Sequence, residues 1–435
     1  MPGGRVSMGS ADDRNESLQR RLATLTPRQR EVFERRRRRS PVNGSAPATS
    51  TASAAAPGQT DAEATAGPNR PTRERRRRRP TSSMDFSLFF FSGDGSSDDV
   101  RRYHLLLESA RLADSNGYTG IWVPERHFVD FGGLYPNPSV LAAALAVLTE
   151  RIQIRAGSVV LPLHHPVRIA EEWAVVDNLS NGRSAISAAS GWHPGDFLLA
   201  PGDGAQVYRD RKNLMFEQMD TIQRLWSGEA LEMPGIDGRS TTVRTLPRPI
   251  QPVLPMWVSS QGSTDTFVRA GRAGANLLTG LVAQQPPELR DKIAAYRQAR
   301  REAGHVPDAG LVTAMVHTYL GADEDEVRDT VRQPLVDYLG SFLRQQDNTG
   351  GTFATLSQEE RDVMLSATFD RYFDHMALLG TPDTCESFIE DLVDLGVDEV
   401  ACLVDFGVAP ELVLEGLEHL TELKNRYERR EAIHG

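Results

Sequence analysis

The chain has 435 residues, 39% of them hydrophobic and 7% aromatic, enough for a large core in one or two domains. It holds no run of 18 apolar residues and no apolar signal-peptide core, so neither a membrane span nor export is expected and a cytoplasmic location follows. The net charge of −10 divides sharply: residues 1–83 carry 18 Arg against 8 acidic residues, and the remainder carries 31 Lys and Arg against 51 acidic residues, which argues against a nucleic-acid substrate.

The basic head, 1–83, reads as a segment apart from the fold. It contains the arginine runs 35–39 and 75–79 around a stretch rich in Ala, Ser, Thr, Gly and Pro, which is linker composition. It is expected to be disordered or to serve as a docking segment for an acidic partner.

From Met84 the texture changes. Phe86 to Phe91 reads as a strand, a Gly-rich turn leaves it, and Asp98-Asp99 opens a helix to about Asn116. Thr119 to Val123 is the second strand, followed by Pro124-Glu125-Arg126-His127-Phe128 and then a helix over Leu141–Thr149. Ile152 to Leu161 is the third strand. Pro166 to Leu179 has helical spacing and is stopped by Asn181-Gly182; Ser184 to Ala189 is the fourth strand. Tyr208–Trp226 is helical, and 228–250 is an irregular excursion containing a hairpin. Pro255–Ser259 and Ala275–Thr279 are strands five and six, with helices at Ser263–Gly271 and Pro287–Gly304. Leu311–Leu320 is strand seven, and a long helix runs over Asp323–Arg344. A polar loop at 345–356, suited to be a lid, precedes a helical run over 357–379. A helix over Asp383–Leu395, strand eight over Glu399–Val404 and a helix over Pro410–Arg426 close the chain. Eight strands alternating with helices predict an α/β fold, a (β/α)8 TIM barrel with insertions over 84–435. An open doubly wound sheet is disfavoured because no Gly-x-Gly-x-x-Gly follows the first strand.

In such a barrel chemistry gathers where strands end. Glu125, Arg126 and His127 leave strand two and could move a proton or hold an anion. His164 and His165, being adjacent on extended chain, point to opposite sides and make poor joint metal ligands; one of them capping the next helix is the favoured reading, and no metal is expected. Cys385 and Cys402 have neither disulfide-framework nor metal spacing. Ser190-Gly191-Trp192-His193 suits a planar or anionic ligand. Ser260-Gln261-Gly262-Ser263-Thr264 places small residues at a helix N-terminus, where unsatisfied N–H groups form an anion cradle or are met by ordinary capping. Of Phe89, Phe90 and Phe91, at least one should face the barrel mouth.

Glu125-Arg126-His127-Phe128, Val160-Leu161-Pro162 with His165-Pro166-Val167-Arg168, Leu179-Ser180-Asn181-Gly182-Arg183 and Ser190-Gly191 together resemble the bacterial luciferase-like flavin monooxygenases. Asn181-Gly182-Arg183 followed by Ser190-Gly191-Trp192-His193-Pro194 is similar to the subgroup found in non-ribosomal peptide and polyketide assembly lines. The resemblance implies reduced FMN, supplied by a separate flavin reductase, reacting with O2 at the strand ends. It implies a flavin ledge at Gly157 and Ser158, at a bulge that often contains a non-prolyl cis peptide. It implies a phosphate site between Ser190, Gly191 and Ser260, Gln261, Gly262, Ser263, Thr264. Arg126 and His127 would face the reacting centre, and Phe90, Tyr135 and Trp192 the substrate. Luciferases carry a histidine where Arg126 stands, and arginine cannot shuttle a proton at neutral pH. Hydroxylation of an amino-acid or acyl unit, free or tethered to a carrier protein, is therefore expected over light-emitting aldehyde oxidation. Family likeness implies a homodimer. The alternatives are a deazaflavin-dependent hydride-transfer enzyme on the same barrel, or a non-catalytic scaffold.

Overall fold

The computed structural model describes residues 83–91, 102–236, 238–281, 284–347 and 356–428. The basic head, but for Ser83, lies outside the described residues, as does the expected helix start at Asp98-Asp99. The elements in chain order begin with β1 (Asp85–Phe89), α1 (His104–Ser115), β2 (Gly120–Val123), α2 (Pro138–Leu148), β3 (Gln153–Val160), α3 (Pro166–Leu179), β4 (Ser184–Ala189) and α4 (Gly204–Ser227). An antiparallel hairpin of β5 (Leu231–Pro234) and β6 (Ser240–Val243) follows, the excursion expected within 228–250. Then come β7 (Met256–Ser259), α5 (Thr264–Arg272), β8 (Asn276–Gly280), α6 (Pro286–Glu302), β9 (Val312–Leu320), α7 (Glu324–Asp347), α8 (Gln358–His375), β10 (Leu378–Gly380), α9 (Pro382–Leu395), β11 (Glu399–Leu403) and α10 (Pro410–Tyr427).

Eight of these strands close a parallel barrel in the order β1-β2-β3-β4-β7-β8-β9-β11, with β11 returning to β1. This is the expected (β/α)8 barrel. β9 is buried along its whole length, as a parallel strand covered on both faces must be. Two stretches differ from expectation. The helical run over 357–379 stops at His375, and Leu378–Gly380 becomes β10, pairing with the end of β9. Two adjacent leucines satisfy either period, so sequence spacing could not separate the two. Gln345 belongs to α7 rather than to a loop, and 348–355 lie outside the described residues.

The Asn-Gly stop works as read. Asn181 and Gly182 both take positive φ, 56° and 82°, ending α3 so that the chain turns directly into β4. Likewise Asn137 caps α2, its side chain accepting from the N–H groups of Ser139 and Val140, with Pro138 at the first helical position.

A polar plug fills the lower barrel. The Arg155 guanidinium donates to both oxygens of Glu399 at 2.6 and 2.8 Å, and its carbon lies 4.8 Å from the rings of both Trp122 and Trp257. Ser87 donates to Glu399 and accepts from the Trp122 indole at 2.9 Å. With its bottom packed, the barrel is open to chemistry only at the strands' C-terminal ends. None of the described helices is long and apolar enough to cross a membrane.

Candidate active site

Glu125 is the hub of the mouth. Its side chain is wholly buried, and its Oε1 meets Nε2 of His127 at 3.0 Å and Nε2 of His164 at 2.6 Å. Its Oε2 accepts the Val160 N–H at 2.7 Å, tying the end of β2 to the end of β3. Burial alone would push this carboxyl up. The hydrogen bonds from His127 and His164, the charge of His164 and the Val160 N–H overcome that and hold it below the ordinary range. Burial works against a charged His164 too, yet the bond to Glu125 and the charges of Glu125 and Glu172 raise it above a free histidine. His165 turns the other way and accepts from the Val167 N–H, capping α3. Opposite directions for the two imidazoles were legible in the sequence; the partner of His164 was not, because Glu125 lies 39 residues earlier.

Arg126 is buried beside this hub. Its Nη1 lies 3.3 Å from Asp196, its Nη2 donates to Gln345 of α7, and its guanidinium carbon stands 4.7 Å over the Trp192 ring. Its Nε is buried with no partner among the described residues. Burial lowers this guanidinium's proton affinity, and Asp196 opposes that. Asp196 is in turn 3.1 Å from His193 Nδ1. One arginine therefore joins the loop after β2, the short helical turn after β4 and the end of α7.

Along β3 the Gly157–Ser158 peptide is cis, and the register against β4 shifts between Gly157 and Val159. A Cβ built on Gly157 would come within 2.7 Å of the Phe89 ring, so this ledge has no room for a side chain. Gly191, with φ 78°, is constrained similarly: a Cβ would fall 2.8 Å from Val160 and 2.9 Å from Phe197. Its carbonyl accepts from Arg211 at 3.0 Å. β4 and β7 are barrel neighbours, so the segments leaving them, Ser190-Gly191 and Ser260–Thr264, lie at adjacent strand ends. Ser260 donates its N–H to the Leu278 carbonyl of β8, at 2.9 Å. Ser263 is the N-cap of α5 but makes no side-chain cap bond, and a Cβ on Gly262 would meet nothing within 4 Å. The start of α5 is thus open, with Gln261 and Thr264 flanking it.

Opposite, β9 brings His317 into an aromatic box. Its ring lies 4.5 Å from Tyr338, 5.8 Å from Tyr372 and 5.7 Å from Phe406. Its Nε2 has no partner among the described residues, and burial pushes its pKa down to about 3. Nearby, Asp405 accepts the Phe91 N–H at 2.9 and 3.0 Å and the Tyr135 hydroxyl at 3.1 Å. Neither His317, inside the mostly apolar β9, nor Asp405, two residues beyond β11, carries a motif that would mark it in the sequence.

The aromatic residues expected to meet substrate lie as follows. Phe90 is fully buried, and alternation sets it opposite to Phe89 and Phe91; Phe91, which is partly exposed and 5.7 Å from Phe131, takes the place at the mouth. Tyr135 is buried and braces Asp405 through its hydroxyl and Arg126 through its carbonyl, at 2.9 Å, rather than lining open space. Trp192 is at the mouth, with one ring face covered by Arg126. Among the described residues no group of three or more His, Cys, Asp or Glu is placed to hold a metal ion.

A sequence model of the family described as luciferase-like monooxygenase matches residues 84–399. The oxygenase component of a flavin-dependent trigonelline monooxygenase from Acinetobacter baylyi is 27% identical over 284 residues, which cover 64% of this chain and 77% of that protein. The 4-hydroxyprotoasukamycin monooxygenase of Streptomyces nodosus subsp. asukaensis is 28% identical over 298 residues, covering 66% and 76%. The oxygenating constituent of 3,6-diketocamphane monooxygenase from Pseudomonas putida, solved in complex with FMN, shares the fold. Its TM-score is 0.65 at 19% identity, over 80% of this chain and 99% of that one.

Proposed function

The chain belongs to the luciferase-like monooxygenase family, and on that premise we propose that it is an FMN-dependent oxygenase of a biosynthetic intermediate. One observation carries the cofactor reading. Three consecutive barrel strands carry, towards their C-terminal ends, the bulge of β3 at Gly157-Ser158, the tight turn at Gly191 after β4 and the uncapped start of α5 after β7. A flat ring and a phosphate at one end of it fit that sequence of features. In this reading Gly157 and Ser158 support the ring. Ser190, Gly191, the Ser260 hydroxyl, Gln261, Gly262, Ser263 and Thr264 hold the phosphate.

Bound reduced flavin would supply the two electrons with which O2 is divided between product and water. The chain's own groups then position and move protons. His127, held through Nε2 by Glu125, turns its other nitrogen away from that carboxylate and serves as acid or base at the reacting centre. Arg126 offers the N–H of its unpartnered Nε to a carboxylate or oxyanion of the substrate; it does not exchange protons. The aromatic neighbours Trp192, Phe91 and Phe131 favour a substrate with a flat or apolar body.

A separate reductase is the expected partner, supported by the name of the Acinetobacter relative, an oxygenase component. The Ser190–Pro194 motif and the Streptomyces relative support a natural-product intermediate, free or carried on a carrier protein. Two buried free cysteines suit the cytoplasm. A homodimer is supported by exposed Val140 and Val147 on α2 with Val175 and Leu179 on α3, an apolar outer face on two packed helices.

The test is binding followed by isotope labelling. Reduced FMN should bind the chain, and carrier-bound and free candidate substrates should take up one atom from 18O2. Reduction of a deazaflavin with no FMN binding would overturn the proposal, as would FMN binding with no labelled product from any candidate.

A further inference from the structure

Two histidines share one carboxylate oxygen at the mouth, and they are not equivalent. His164 sits on the outer side, its side chain 27% exposed, while the His127 side chain is 10% exposed and that of Glu125 is fully covered. The Gln218 amide donates to the His164 backbone carbonyl at 3.0 Å, so the main chain that carries the imidazole is anchored from α4. Two carboxylates face it: Glu125 from the loop after β2 and Glu172 from α3.

We propose that His164 is a positioning residue whose positive charge compensates Glu125, so that Glu125 orients His127 without drawing a second proton onto it. A buried carboxylate facing His127 alone would draw a second proton onto that imidazole by charge attraction. The His164 imidazole lies 2.6 Å away on the same oxygen, and when protonated there it compensates the carboxylate. What remains is a hydrogen-bond acceptor that fixes the proton of His127 on Nε2 and leaves Nδ1 with its lone pair. The fixed bond from Val160 to the other carboxylate oxygen keeps this geometry from rotating. The inference rests on the oxygenase reading only in naming His127 as the acid–base group; the charge balance itself is a property of the flavin-free chain.

The experiment compares His164→Gln, which keeps a hydrogen-bond donor without charge, with His164→Lys, which keeps a cation. Imidazole 15N spectra of the flavin-free protein at pH 7 should show His127 protonated on Nε2 alone in the unsubstituted chain and in H164K. In H164Q both nitrogens of His127 should carry protons. In parallel, Glu125→Gln should move the titration of His164 down towards that of free histidine. Turnover with FMN should fall about tenfold in H164Q with KM unchanged, and less than about twofold in H164K. An unchanged His127 spectrum in folded H164Q, or an unmoved His164 titration in E125Q, overturns the proposal. Spectra as expected with no oxygenation would sink the oxygenase reading and leave the charge balance standing.

Discussion

The guanidinium of Arg126 lies 4.7 Å over the indole of Trp192 while its nitrogens reach Asp196 and Gln345. Removing it leaves Asp196 buried beside His193 without its cation. Arg126→Leu should therefore cost about 3–5 kcal/mol in urea unfolding, and Arg126→Leu with Asp196→Asn should recover part of that loss. Arg126→Lys keeps the charge but loses the fork and the flat stack. It should stay folded and lose roughly 10–100-fold in kcat/KM on the true substrate. Equal kcat/KM for R126K and the unsubstituted chain would remove Arg126 from substrate recognition.

The open start of α5 gives a substitution with opposite effects on fold and binding. Aspartate is a better N-cap than an unused serine, so Ser263→Asp should hold or slightly raise the melting temperature. The same carboxylate would repel a phosphate at that helix end. FMN affinity should fall by at least about tenfold, whereas riboflavin, which lacks the phosphate, should bind as before. Parallel losses for both ligands would place the phosphate elsewhere.

How much of this was legible in the residues depended on distance along the chain. The barrel followed from strands and helices whose signals are local, and the turn at Asn181-Gly182 was readable because two positive-φ residues announce themselves. The ledge at Gly157-Ser158 was named through resemblance, and the structure adds why glycine stands there: the Phe89 ring fills the space. Pairings across the barrel were not readable. Arg126 meets Asp196 seventy residues later, and Phe91 meets Asp405 after 314. The face taken by Phe90 was not readable either, because β1 ends at Phe89 and the direction of each following aromatic depends on that boundary.

The exposed apolar faces of α2 and α3 should be covered in solution by a second copy. The two helices are linked where Ser139 donates to Glu172 at 2.7 Å, so they form one rigid face. Val147→Glu places a charge on the most exposed of its four apolar residues and should turn a sedimenting dimer into a monomer, while the far-ultraviolet spectrum stays unchanged. A chain that sediments as a monomer before any substitution would refute this.

His317 makes stability depend on acid. Burial pushes its pKa down to about 3, whereas in the unfolded chain it is about 6.5. Between those values the unfolded chain binds a proton that the folded chain does not. Its contribution is therefore fully present above about pH 6.5 and is lost as pH falls towards 3, at up to about 1.4 kcal/mol per pH unit. His317→Phe keeps a flat ring among Tyr338, Tyr372 and Phe406 and removes both the titration and the unpartnered Nε2. The variant should lose less stability than the unsubstituted chain between pH 7 and pH 4.5, measured by urea unfolding at each pH. Buried carboxylates such as Glu125 titrate lower and are common to both chains, so the difference between the two curves isolates His317. Parallel curves over that interval would mean that His317 takes up its proton in the folded state as readily as in the unfolded one.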